Sequence, residues 1–180
     1  MEKCRVVFSG SGGQGVVTAA IILAEAAVLH EGLEAVQSQS YGAAARGGST
    51  RSDVILSEEA IDYPKVIQPN VLIALTQEAY NQYHRIIRPG GLLITDRRFV
   101  TTSRKVDALQ VELALHDTLM EQIGKAVVFN IAVLGALIAL RPLVKPQSIL
   151  KVLEERFPWE FLAVNRLALE LGVSVGRQVG

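Results

Sequence analysis

The chain has 180 residues, with 18 basic and 18 acidic side chains that leave no net charge. Bulk electrostatics therefore offer no pull toward nucleic acid or an anionic membrane. Hydrophobic residues make up 49% of the chain and its mean hydropathy is +0.29; this suits a single domain over residues 1–180 with a large core, and implies that part of the surface is covered by another chain. The sole cysteine, Cys4, excludes an internal disulfide and an iron–sulfur cluster held by this chain alone.

Met1-Glu2-Lys3 leads into a strand pattern instead of a signal peptide, and the chain reads as cytoplasmic. Its most apolar run, Phe129 to Leu140, is shorter than the ~20 residues a bilayer span needs, so it reads as a buried core helix. His30, His84 and His116 have no paired spacing and read as packing or solvated side chains, with no metal site.

Strand-like and helix-like segments alternate along the chain. Cys4 to Phe8 reads as a strand and Val16 to Leu29 as a helix apolar on nearly every face. Strands are expected over Leu33 to Gln39, Ser49 to Leu56 and Val71 to Leu75, then a helix over Gln77 to Ile87 ended by Arg88-Pro89-Gly90-Gly91, and a strand over Leu92 to Thr95. Val106 to Val111 reads as a strand, Thr118 to Ile123 as a helix and Ala126 to Phe129 as a further strand. Asn130 is then expected as the N-cap of the helix through Leu140. Helices over Pro146 to Arg156 and Trp159 to Leu171 complete the chain, the last stopped by Gly172 with a fraying tail beyond. This order predicts a three-layer Rossmann-like α/β fold with a mainly parallel sheet and a helical C-terminal tail.

The segment Gly10-Ser11-Gly12-Gly13-Gln14-Gly15 lies between the first strand and the first helix, where bare backbone N–H groups meet a helix N-terminus and suit an anion. Read as G-x-G-x-x-G it invites a nicotinamide or flavin site. However, the second strand runs into Gln37-Ser38-Gln39-Ser40 with Glu34 at its start, so the acidic ribose reader is missing. Val16-Val17-Thr18 after Gly15 excludes a P-loop, and Gly10-Ser11-Gly12 lacks nucleophile-elbow spacing. An anion site, or a tight turn that only lets helix and strand pack closely, both remain. Asp53, Asp62 and Asp96 are spaced irregularly and read as capping or solvated carboxylates.

A second constellation runs from Ser38 to Arg51 and includes Ser40-Tyr41-Gly42 and Arg46-Gly47-Gly48. It follows the second strand, so it should neighbour the glycine loop at the same sheet edge. Arg46, followed by Gly47 and Gly48, suits a phosphate or a carboxylate, the latter on a partner or on its own surface.

Taken together, Gly10 to Ala19, Ser40 to Gly42, Arg46 to Gly48, Ile61-Asp62-Tyr63-Pro64, and Asn130 with Leu134-Gly135-Ala136 resemble the gamma subunit of the 2-oxoacid:ferredoxin oxidoreductases over roughly the whole chain. The wording is nearest the 2-oxoglutarate type, although Ala43-Ala44 stand where such relatives often read Pro-Glu. The resemblance implies a multisubunit enzyme that decarboxylates a 2-oxoacid, transfers the acyl group to coenzyme A and reduces ferredoxin. Thiamine diphosphate and the iron–sulfur clusters would sit in other subunits (alpha, beta and delta), and the isolated chain would be inactive and could pair as a homodimer. Gly10, Gly12, Gly13, Gln14, Gly15, Ser40, Tyr41, Gly42, Arg46, Gly47 and Gly48 would form an edge facing coenzyme A or a neighbouring subunit, with no catalytic residue in this chain. A free-standing nucleotide- or phosphate-binding domain is the alternative.

Overall fold

A computed structural model describes residues 2–41, 49–103 and 105–179, with Tyr41 described by its backbone alone. Six strands form one sheet: β1 (Cys4–Gly10), β2 (Glu34–Tyr41), β3 (Thr50–Ser57), β4 (Val71–Ala74), β5 (Gly91–Asp96) and β6 (Ala108–Leu113). They lie in the order β2-β3-β1-β4-β5-β6. The run from β1 through β4 and β5 to β6 is parallel, and β3 alone runs against both its neighbours. The fold is the mainly parallel α/β arrangement that the alternation of segments predicts.

The central strands are apolar on both faces because both faces are covered. Val6 and Phe8 enter one core while Val7 enters the other, and Val54 and Leu56 divide from Ile55 in the same way. The first face carries α1 (Val16–Glu31), α4 (Phe129–Leu140), α5 (Pro146–Arg156) and α6 (Trp159–Val179), with α3 (Leu115–Gln122) against α4 and α6. The second face is covered by α2 (Gln77–Tyr83), a short helix, and by Val66 and Val100 from loops. Among the described residues no helix is long and apolar enough to cross a membrane.

Four expectations from the sequence are corrected. Ala126 to Phe129 forms no strand: Ala126–Val128 is a 3-10 turn that runs directly into α4, burying Val128 and Phe129. A short apolar run has no period that separates strand from helix start. Asn130 is not the N-cap of α4; Val128 holds that position, and Asn130 sits in the first turn. Gly172 does not stop the last helix, which continues to Val179 with Val175 and Gly176 buried, so the tail does not fray there. A Cβ on Gly172 would run into the backbone carbonyl of Ala132, which shows the glycine to be a packing residue at the α4–α6 crossing. The helix expected over Gln77 to Ile87 ends at Tyr83 and tightens into a 3-10 turn, His84–Ile86, where His84 Nδ1 lies 2.8 Å from the Tyr80 carbonyl. Helix ends commonly tighten in this way. On α1, Val28 and Leu29 are open to solvent although the rest of its apolar stripe is covered.

Candidate functional site

The adjacent parallel strands β1 and β4 send their following helices to opposite faces, α1 to one and α2 to the other. Such a switch point leaves a crevice beyond the carboxyl ends of the strands, where α/β proteins hold ligands. The glycine loop opens there. β1 ends at Gly10, residues Gly12–Gln14 make one 3-10 turn, and Gly15 takes a left-handed conformation (φ 68°) before Val16 starts α1.

Each residue of the loop has a distinct task. Gln14 holds it shut: its Oε1 accepts from the Ser11 N–H at 2.9 Å and its Nε2 donates to the Leu75 carbonyl at 2.9 Å, which ties the turn to the end of β4. A Cβ on Gly10 would crowd the Gln14 Oε1, and the glutamine that holds the turn would have to shift. Gly15 needs its positive φ, and a Cβ on it would come within 2.7 Å of Asn130 Nδ2. Asn130 is nearly buried and donates from Nδ2 to the Gly15 carbonyl at 3.4 Å, so α4 buttresses the start of α1.

Gly12 and Gly13 are different. Neither has a positive φ, and among the described residues a Cβ built on either meets nothing within 4 Å. Packing among the described residues therefore has no need of glycine at these two positions. What they provide is uncovered backbone beside the first turn of α1, which carries no acidic side chain and whose leading N–H groups have no helical acceptor.

Register brings the described ends of the second constellation, Ser40, Tyr41 and Thr50, to the same sheet edge as this loop. Gly10 is opposite Thr50 and Thr50 is opposite Tyr41, so Ser40 and Tyr41 stand two inter-strand spacings away, about 10 Å. Ser9 Oγ donates to the Thr50 carbonyl at 3.0 Å and fixes that junction. Ser49 Oγ donates to Gln82 Oε1 at 2.9 Å, bringing α2 to the same edge. Ser40 is exposed. Gly42, Arg46, Gly47, Gly48 and the side chain of Tyr41 lie outside the described residues.

Arg51 is not available to a ligand. It makes a two-pronged pair with Asp53 at 2.7 and 2.8 Å, donates to the Val66 carbonyl at 2.9 Å and lies over the Tyr83 ring. Asp96 caps, as its place at a strand end suggests: Oδ1 accepts from the Arg98 N–H and Oδ2 from the His116 N–H, starting α3 where Ala114 has no side-chain acceptor. Burial pushes the Asp96 carboxyl above its ordinary pKa, opposed by those two N–H groups. Among the described residues no group of three His, Cys, Asp or Glu side chains could hold a metal ion. Sequence reasoning missed the anchoring roles of Gln14 and Asn130, although a glutamine inside a glycine loop is itself a signal, since a polar side chain there has backbone groups to satisfy.

The model of the pyruvate ferredoxin/flavodoxin oxidoreductase family matches residues 5–175. The chain belongs to this family. Over 97% of its length it is 39% identical to the 2-oxoglutarate synthase subunit KorC of Methanocaldococcus jannaschii, covering 95% of that protein. The gamma subunit of a keto/oxoacid ferredoxin oxidoreductase from Geobacter sulfurreducens has the same fold with a TM-score of 0.87 at 36% identity, covering 98% of this chain and 99% of that one. The 2-oxoglutarate:ferredoxin oxidoreductase of Magnetococcus marinus, solved with 2-oxoglutarate, coenzyme A and succinyl-CoA bound, contains the fold as 32% of a longer chain (TM-score 0.88, 22% identity). Within the pyruvate ferredoxin/flavodoxin oxidoreductase family, this chain matches a gamma subunit over nearly the whole length of both.

Proposed function

We propose that this chain is the gamma subunit of a 2-oxoglutarate:ferredoxin oxidoreductase and that its glycine edge is one wall of the site where coenzyme A enters the complex. The choice of oxoacid is supported by relatives called 2-oxoglutarate synthase subunits at 39% and 35% identity across nearly the whole chain. Other subunits hold thiamine diphosphate and the iron–sulfur clusters; a cluster needs several cysteine ligands, and this chain has one, which is buried. Ferredoxin takes the electrons through the complex, and no catalytic step falls to this chain.

Coenzyme A, when bound, supplies the thiol that accepts the acyl group. The residues present fit its phosphates. Gly12 and Gly13 let an anion come up to the backbone, the start of α1 presents N–H groups to it, and Gln14 and Asn130 keep the loop from collapsing into the opening. Arg46, from the same stretch of sequence as Ser40 and Tyr41, has the positive charge such a phosphate would call for. The observation that carries this reading is the space around Gly12 and Gly13, where among the described residues nothing stands in the way of a side chain or of an approaching group.

Replacing both by alanine tests it. The free chain should keep its thermal stability or gain about 0.4–1 kcal/mol per site, since alanine restricts only the unfolded chain where the native conformation allows it. The complex reconstituted with its companion subunits should show a raised KM for coenzyme A, and Arg46→Ala should act in the same direction. An unchanged KM in both variants would remove coenzyme A from this edge.

A further inference from the structure

A groove of about 550 Å³ opens at the end of the sheet opposite the glycine loop, between the amino ends of β1, β4 and β5. Three separate segments give it Arg5, Lys65 and Arg88, and no carboxylate lines it. Among the described residues none of these three cations has an ion-pair partner, whereas Arg51, Lys145, Arg156 and Arg166 all do. In a chain with equal numbers of acidic and basic side chains, this is a local surplus of positive charge.

The three segments are locked together. Asn70 accepts from the Arg5 N–H through Oδ1 at 2.9 Å, its own N–H donates to the Arg5 carbonyl at 2.8 Å, and its carbonyl accepts from Leu92 at 2.9 Å. The Arg88 N–H donates to the Pro69 carbonyl at 3.1 Å. The cations thus stand on a fixed frame, not on independent loops. The remaining walls include Tyr63, 57% exposed, and Ile67, 68% exposed. Arginine and tyrosine beside an open aliphatic side chain is the composition of interface hot spots.

We propose that this groove docks an acidic segment of a companion subunit, one that brings carboxylates to Arg5, Lys65 and Arg88 and apolar side chains to Tyr63 and Ile67. A bare anion would satisfy the charges and leave the apolar wall wet. A peptide segment covers both. The inference rests on the reading of this chain as a subunit of a larger enzyme.

The test uses the full chain and its companion subunits, with wild type against the Lys65→Glu/Arg88→Glu double variant, both positions being exposed and outside the core. The free variant should melt as wild type does. Its association with the companions should weaken at least about tenfold at low ionic strength, and wild type should lose the same advantage as salt is raised to about 0.5 M. Lys65→Arg/Arg88→Lys should restore binding, and amide exchange over residues 63–68 should slow on assembly. Wild-type assembly matched by the double variant, with no slowing of exchange, overturns the inference and leaves the subunit reading intact. Failure of wild type to assemble overturns both. Micromolar binding of ADP or inorganic phosphate to the free chain, lost in the double variant, would overturn it in favour of a small anion.

Discussion

At the scale of single residues, the glycine loop separates glycines that the fold requires from glycines that it does not. Gly10 and Gly15 are closely approached by Gln14 and Asn130, whereas among the described residues nothing approaches Gly12 and Gly13. A sequence alone presents all of them as one motif. The structure assigns the first pair to packing and leaves the second pair for whatever approaches. Asp96 shows the same division: a carboxylate among three irregularly spaced ones is a poor candidate for chemistry by sequence, and its two accepted N–H bonds explain it fully as a cap. Asp96→Asn should cost about 1–3 kcal/mol, because an amide can accept only one of those two N–H groups. The pH dependence has a definite sign. Burial raises the folded pKa above the unfolded value, so the contribution of the titrating carboxyl is fully present below the ordinary carboxylate pKa and is lost as pH rises through the raised one. Denaturant melts of both proteins at mildly acidic and neutral pH should therefore show the penalty of the variant shrinking toward neutrality. A penalty that grows would mean that the two N–H groups outweigh burial.

At the scale of elements, the crossing of α4 and α6 determines the C-terminal half. Both helices present small residues, and Gly135, Gly172 and Gly176 lie so close to the facing helix that a Cβ on any of them would meet its backbone or Ala139. Sequence reading treats Gly172 as a helix stop because a glycine after an apolar stretch usually is one. Here the long-range contact with Ala132 overrides that local preference, and the helix runs through. Gly172→Ala should raise helix propensity yet destabilise the protein by about 1–3 kcal/mol or more through overpacking. A lower melting temperature checks this, and an unchanged one would show that the helices can move apart without cost. The amide of Asn130 depends on the same crossing, since α4 must sit where it does for its first turn to reach Gly15.

At the scale of the whole molecule, a neutral chain with high apolar content folds into one sheet covered on both faces and still leaves large apolar side chains in water. The sole tryptophan, Trp159, is 81% exposed, and Val127 is 80% exposed. In dilute solution Trp159 emission should be that of a solvated indole and readily quenched by acrylamide. A shielded, blue-shifted spectrum would mean that copies of the chain cover one another. Exposure of this kind suits a subunit, whose surface is completed by others.

The order of strands and helices, the burial of the Phe129 to Leu140 run and the placing of the glycine loop at a helix start were legible in the sequence, because each depends on local periodicity or on the chemistry of a few adjacent residues. Membership of the family was legible too, through short motifs that each lie within one stretch of chain. The antiparallel course of β3, the capping of α3 by Asp96, the clamp of Asn130 on Gly15 and the passage of α6 over Gly172 were decided by tertiary structure. Each joins residues far apart in sequence, and local propensities of a few tenths of a kcal/mol yield to contacts worth more than that. The same holds for function. The residues that suit an anion are written in the chain, but which of the glycines stay open to one, and which cations stand unpaired at the other end of the sheet, among the described residues, follow only from how the strands are ordered.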